Sequence, residues 1–154
     1  MKQENFINYV VGISGVLLVA LLGWVFVDIG MDWFNGLQRP SEWIPNSFIP
    51  IVWIIIYSVF ILYIIHLIKK EKDNKRVIVL LVVNGVLNVL WCLIYFAFNS
   101  LLGGQIVIIL NLIASIWLLR EICKTSEVYG YILTIYPVWL SIATCLNLAA
   151  WILN

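Results

Sequence analysis

Apolar residues fall in five long blocks, at about 6–27, 47–68, 77–98, 105–122 and 129–152, with short polar connectors between most of them. Each block is close to the roughly 20 residues a helix needs to cross a 30 Å hydrocarbon core. The pattern predicts an all-α polytopic membrane protein, a single domain over 1–154 built as a bundle of five transmembrane helices. The longest interruption is Trp33 to Trp53, WFNGLQRPSEWIPNSFIPIVW, with Trp33, Trp43 and Trp53, three of the four prolines (Pro40, Pro45, Pro50) and Arg39. So ordered a composition in a long first loop suggests a lid. Regular helix is not expected to persist past Pro40, because Pro45 and Pro50 each remove a donor and bias the preceding residue toward extended geometry.

Composition sharpens this picture. At 64% hydrophobic and 11% charged, the chain lies far from the roughly 45–50% and 25% of soluble domains. The first block follows Lys2 but is long and ends in Trp24-Val25-Phe26-Val27 without a small-residue cleavage site, so it reads as a retained span. Lys2, Lys69, Lys70, Lys72, Lys75, Arg76, Arg120 and Lys124 share one side and only Arg39 is on the other. The positive-inside rule then places the N-terminus in the cytoplasm, and the first loop and C-terminus outside; a bacterial cell membrane is the expected location. The net charge of +1 is carried in loops, and no nucleic-acid partner is expected.

The helical faces carry the candidate chemistry. In the second block Trp53, Tyr57 and Phe60 form an aromatic stripe that begins beneath the loop. In the third, Asn84 and Asn88 lie at i, i+4 and Trp91 and Tyr95 extend the same face. Asn111 and Ser115 repeat that spacing in the fourth block, and Tyr136, Trp139, Ala143 and Asn147 make one face of the fifth. Carboxamides and indoles are costly against lipid. They serve either as pocket lining or as interhelical glue, which averages about 0.6 kcal/mol per hydrogen bond in membranes, and both uses stay open. Pro137 predicts a kink near Tyr136, with Ser141 and Thr144 close enough to take up freed carbonyls.

Other features are ordinary. The first block is expected to end near residue 27, with Asp28 and Asp32 marking its exit and Asp32 capping a short turn that carries Trp33, Phe34 and Leu37. Asn46-Ser47 is the expected cap of the second helix, and Asn99-Ser100 with Gly103-Gly104 the turn into the fourth. Cys92, Cys123 and Cys145 lack C-x-x-C spacing and read as small apolar core residues. His66 has no histidine, cysteine or carboxylate at ligand spacing, so neither a metal nor a cofactor is expected.

No charged residue falls in the middle of any block. Proton-coupled carriers, ion pumps and small multidrug exporters generally need one, and no nucleophile, base and orienter set replaces it. Trp, Tyr and Asn inside a bundle instead suit a flat, largely apolar ligand held by a few polar contacts.

Taken in order, W-F-x-x-L-x-R-P (Trp33, Phe34, Leu37, Arg39, Pro40), Pro45 with Trp53 and Tyr57, N-x-x-x-N-x-x-W (Asn84, Asn88, Trp91) and Y-x-x-W-x-x-x-A-T-x-L-N (Tyr136, Trp139, Ala143, Thr144, Leu146, Asn147) resemble the TspO and mitochondrial translocator protein family, the tryptophan-rich sensory proteins. The resemblance implies a five-helix bundle, often a homodimer, with a pocket at its outer end under the first loop. It implies binding of porphyrins such as protoporphyrin IX or of other apolar aromatic small molecules. Trp53, Asn88, Trp139 and Ala143 would line the pocket, and Trp33, Trp43 and Pro45 would stand in the lid. Sensing or sequestration is the leading reading. An enzyme that degrades tetrapyrroles through Trp139 is the second, and a transporter of porphyrin or sterol-like molecules the third. The family's K-P-x-W-x-P-P stretch becomes Arg39-Pro40-Ser41-Glu42-Trp43-Ile44-Pro45, and no basic residue follows Tyr136 as the animal sterol motif requires.

Overall fold

The computed structural model describes residues 2–40, 44–45, 47–70 and 74–154, with side chains from Phe6 onward. The described residues contain no strand, and five helical segments are long and apolar enough to cross a membrane. Helices are what such a sequence must form in lipid, because each satisfies its backbone donors and acceptors within the segment. The elements are α1 (Lys2–Gly36), α2 (Phe48–Lys69), α3 (Lys75–Cys92), α4 (Leu101–Thr125), α5 (Glu127–Leu133) and α6 (Ile135–Leu153). A π-helical turn, Leu93–Ala97, ends the third span, and α5 and α6 together form the fifth.

The helices pack as a ring in which α1 meets α2, α2 meets α5 and α6, α6 meets α4, α4 meets α3, and α3 returns to α1. Each of the later helices turns one stripe inward. In α2 the stripe is Val52, Ile56, Phe60, Tyr63 and Leu67, and in α4 it includes Ile108, Asn111, Ser115, Leu118 and Ile122. Spacings of three and four residues set these faces. Outward-facing Ile, Leu and Val remain exposed, as a lipid-facing surface requires.

α1 differs from the sequence expectation. It does not end near residue 27 but runs through Asp28 and Asp32 to Gly36. Nothing in that stretch interrupts a helix: there is no proline before Pro40, and both aspartates are exposed. Trp33 and Phe34 therefore belong to the last turns of α1 rather than to a separate capped turn. Among the described residues of α1 only Gly23 and Gly30 are buried, and both face the third span. A Cβ at Gly30 would stand 2.2 Å from the backbone oxygen of Phe96. Backbone thus meets backbone at that crossing, in the manner of small residues at membrane helix interfaces.

α2 starts at Phe48, whose N–H donates to the Pro45 carbonyl at 2.9 Å, and Ser47 makes no side-chain cap; Asn46 lies outside the described residues. The turn into α4 is made by Asn99, in the left-handed region at φ 53°, and by Ser100, whose Oγ accepts from the Gly103 N–H at 3.2 Å. Gly103 and Gly104 lie inside α4, where a Cβ on Gly104 would stand 2.4 Å from the Tyr95 ring. The fifth span breaks at Thr134, before Tyr136. Pro137 in the next turn lacks the N–H that would reach the Leu133 carbonyl. Ser141 and Thr144 hydrogen-bond the Pro137 and Leu140 carbonyls at 2.8 and 2.7 Å, and so do not take up the one that Pro137 frees. Of the cysteines only Cys92 is buried; Cys123 and Cys145 are exposed.

Candidate functional site

At the end of the ring that carries the first loop, α1, α2, the third span and α6 enclose a cavity of about 430 Å³, within the 300–1,000 Å³ range of small-molecule sites. α4 stands behind it and contributes no lining residue. The π turn shapes this space. By opening the helix to an i→i+5 bond, Phe98 N–H to the Leu93 carbonyl at 2.9 Å, it buries both Tyr95 and Phe96. Such turns recur at functional sites.

The walls are two aromatic pairs. Trp53 stacks on Tyr57 with ring centroids 5.5 Å apart, and Trp91 stacks on Tyr95 at 5.8 Å. Asn88 lies between them in sequence register, and Trp139, Ala143 and Asn147 supply the α6 wall. Arg39, Pro40 and Ile44 of the loop close the top, with the Arg39 guanidinium 4.0 Å above the Phe34 ring. The loop is tied down next to Arg39. Gln38 N–H donates to Asn154 Oδ1 at 3.1 Å, and Asn154 Nδ2 donates to the Gln38 carbonyl at 3.0 Å.

Three donors in these walls, Trp91 Nε1, Trp139 Nε1 and Asn147 Nδ2, are buried and have no hydrogen-bond partner in the protein. A buried polar group left unpaired costs about 1–3 kcal/mol. The cavity is therefore apolar in area but rich in unused donors.

The remaining predicted residues separate cleanly. Asn111 is fully buried and does not line this cavity; its Oδ1 accepts from Tyr136 Oη at 3.2 Å, a bond from α6 to α4. Tyr136 also packs edge-on against Trp53 and Phe60. Asn84 faces a different space, below Asn88 on α3. Trp33 lies edge-on to Tyr95 at 5.7 Å, behind the wall, and Pro45 is exposed. Trp43 lies outside the described residues.

Sequence reasoning missed the α1 wall: Gly23, Trp24, Val27, Met31 and Phe34. Ending the first helix near residue 27 hid Met31 and Phe34, although Gly23 and Gly30 at two-turn spacing were a usable sign of close approach. Phe96 was hidden by the π turn, since in a regular helix it stands about 100° away from Tyr95.

The TspO/MBR family profile matches residues 11–152. The chain is 28% identical to the tryptophan-rich protein TspO of Archaeoglobus fulgidus over 154 residues, covering 97% of this chain and 99% of that protein. It is 25% identical to protein CrtK of Rhodobacter capsulatus over 125 residues, 79% of this chain and 78% of that one. With the match running through all five apolar spans, the chain belongs to the TspO/MBR family and is an integral, multi-pass membrane protein.

Proposed function

We propose that the cavity under the first loop binds a porphyrin-like tetrapyrrole, or another flat apolar molecule with acceptor groups at its edge, in a sensing or sequestering role. The observation that carries this reading is the pairing of aromatic walls with three buried, unpartnered donors in one cavity lining. Offset stacking on Trp53 and Trp91 would supply most of the affinity. The indole and carboxamide N–H groups would meet ring-edge carbonyls or carboxylates. The charge asymmetry across the membrane supports the loop facing outside. Titration of detergent-solubilised protein with protoporphyrin IX, followed by quenching of tryptophan fluorescence, tests the proposal: saturable quenching that Trp139→Phe and Asn88→Ala each weaken supports it. Equal binding by both variants removes the pocket assignment.

A photochemical reading rests on Trp139, which lies in the wall and is 5% exposed. It requires a new absorbing product when the protein is illuminated with protoporphyrin IX, and no such product from Trp139→Phe.

A further inference from the structure

A second and larger cavity, of about 770 Å³, lies toward the lysine-rich end, between α1, α2 and α3. Its inner wall includes Val16, Val19, Ile64 and Leu81, and none of its lining residues is charged. Its mouth is edged by Val11, Gly15, Val82 and Val86, all exposed, so it opens sideways between α1 and α3 onto a surface that hydrocarbon covers in the membrane. Tyr57 and Asn88 line both cavities and form the partition between them.

Asn84 gives this space a chemical preference. It sits nine residues past Lys75, the start of α3, hence about 14 Å along the helix from its polar end. It is 3% exposed. Its Nδ2 donates to the Leu80 carbonyl of its own helix at 2.8 Å, while its Oδ1 has no partner in the protein. The cavity under the loop offers unpaired donors, whereas this one offers an unpaired acceptor. An occupant that satisfies Asn84 must bring a donor to mid-depth on an uncharged, largely hydrocarbon body, with Tyr57 and Asn88 of the partition as the neighbouring polar side chains. A phospholipid does not, because its head group stays at the polar surface and only its tails reach this depth.

We propose that this cavity is a second binding site, for a neutral long-chain alcohol taken laterally from the bilayer, its hydroxyl on Asn84 Oδ1 and its chain between α1 and α3. The proposal does not rest on the tetrapyrrole reading, since Asn84 lines this cavity and not the one under the loop.

Photolabelling tests it. The protein in phosphatidylcholine vesicles is irradiated with hexadecanol carrying a mid-chain diazirine, and adducts are mapped by peptide mass spectrometry. Saturable labelling is expected within residues 11–19 and 78–86, competed by hexadecanol but not by hexadecane. Gly15→Phe should abolish it: nothing lies within 4 Å of a Cβ at position 15, so the ring fills the mouth without a clash at its base. Asn84→Leu should lower the apparent affinity by roughly three- to tenfold, the worth of one hydrogen bond. Melting temperatures identify any variant that has lost its fold, and Gly15→Leu replaces Gly15→Phe in that case. Labelling that does not saturate, or that spreads evenly over lipid-facing residues such as Val138, overturns the site. Equal competition by hexadecane, or an Asn84→Leu variant that labels like the parent, overturns the hydroxyl assignment.

Discussion

Replacing Asn147 by Leu separates a binding asparagine from a structural one. Asn147 is buried on α6 with its Nδ2 unpaired in the cavity wall. Leucine has the same branching and removes a buried donor whose desolvation costs about 1–3 kcal/mol. Leucine also has the better helix propensity. Some of this gain is offset by crowding from the added bulk, leaving a net stabilisation of about 1 kcal/mol. For a chain of this length that corresponds to a melting temperature roughly 2–4 °C higher. Protoporphyrin IX binding should weaken about fivefold, the loss of one hydrogen bond of about 1 kcal/mol. Asn111→Leu is the control. There Nδ2 is unpaired as it is at Asn147, but Oδ1 accepts from Tyr136 Oη, so substitution removes an idle donor and also strands a buried hydroxyl, leaving a net destabilisation of about 1 kcal/mol. The assay is thermal unfolding in detergent followed by near-ultraviolet circular dichroism, with porphyrin quenching measured on the same samples. If Asn147→Leu melts below the parent, as Asn111→Leu is expected to, Asn147 is glue and its donor is not reserved for a ligand.

Gly30→Ala forces a Cβ against the Phe96 backbone and should cost at least about 2 kcal/mol, visible as a lower melting temperature; Gly36→Ala, with nothing within 4 Å of its Cβ, should melt as the parent does. Asn154→Ala breaks both bonds to Gln38. Because that contact is exposed, the stability change should stay below about 1 kcal/mol, while porphyrin association and dissociation, followed by stopped-flow quenching, should both speed up several-fold. Trp139→Phe keeps a ring in the wall but removes an N–H, so porphyrin affinity should fall about fivefold with the bundle still folded by circular dichroism.

The fold was legible because each span is a long apolar block, and the inward stripes were legible because Asn, Trp and Tyr are too costly to face lipid. Trp53, Tyr57, Asn88, Trp91, Tyr95, Trp139, Ala143 and Asn147 share one cavity wall for that reason. The stripe does not tell depth from role, however. Asn84, one turn before Asn88, faces the other cavity, and Asn111 spends its oxygen on Tyr136. α1 was nearly silent, because it is apolar all round and contributes to the wall through small residues and van der Waals contact. Asp28 and Asp32 resemble an end signal, but nothing breaks the helix there and it runs through both to Gly36. The helix from Phe6 to Gly36 is 31 residues long, about 46 Å at the usual rise, against a hydrocarbon core of roughly 30 Å. The break in the fifth span falls at Thr134 because the donor that Pro137 lacks is missed one turn earlier in the chain.

The central claim is that a flat ligand sits between the aromatic pairs under the first loop. Fluorine NMR of protein labelled with 5-fluorotryptophan tests it most directly, with resonances assigned by single Trp→Phe substitutions. On titration with protoporphyrin IX the signals of Trp53, Trp91 and Trp139 should shift together and saturate. Those of Trp117 and Trp151, exposed on α4 and α6, should stay in place. Shifts confined to Trp117 and Trp151, with the three wall tryptophans unmoved, would show that the porphyrin binds the outside of the bundle and that the cavity is not its site.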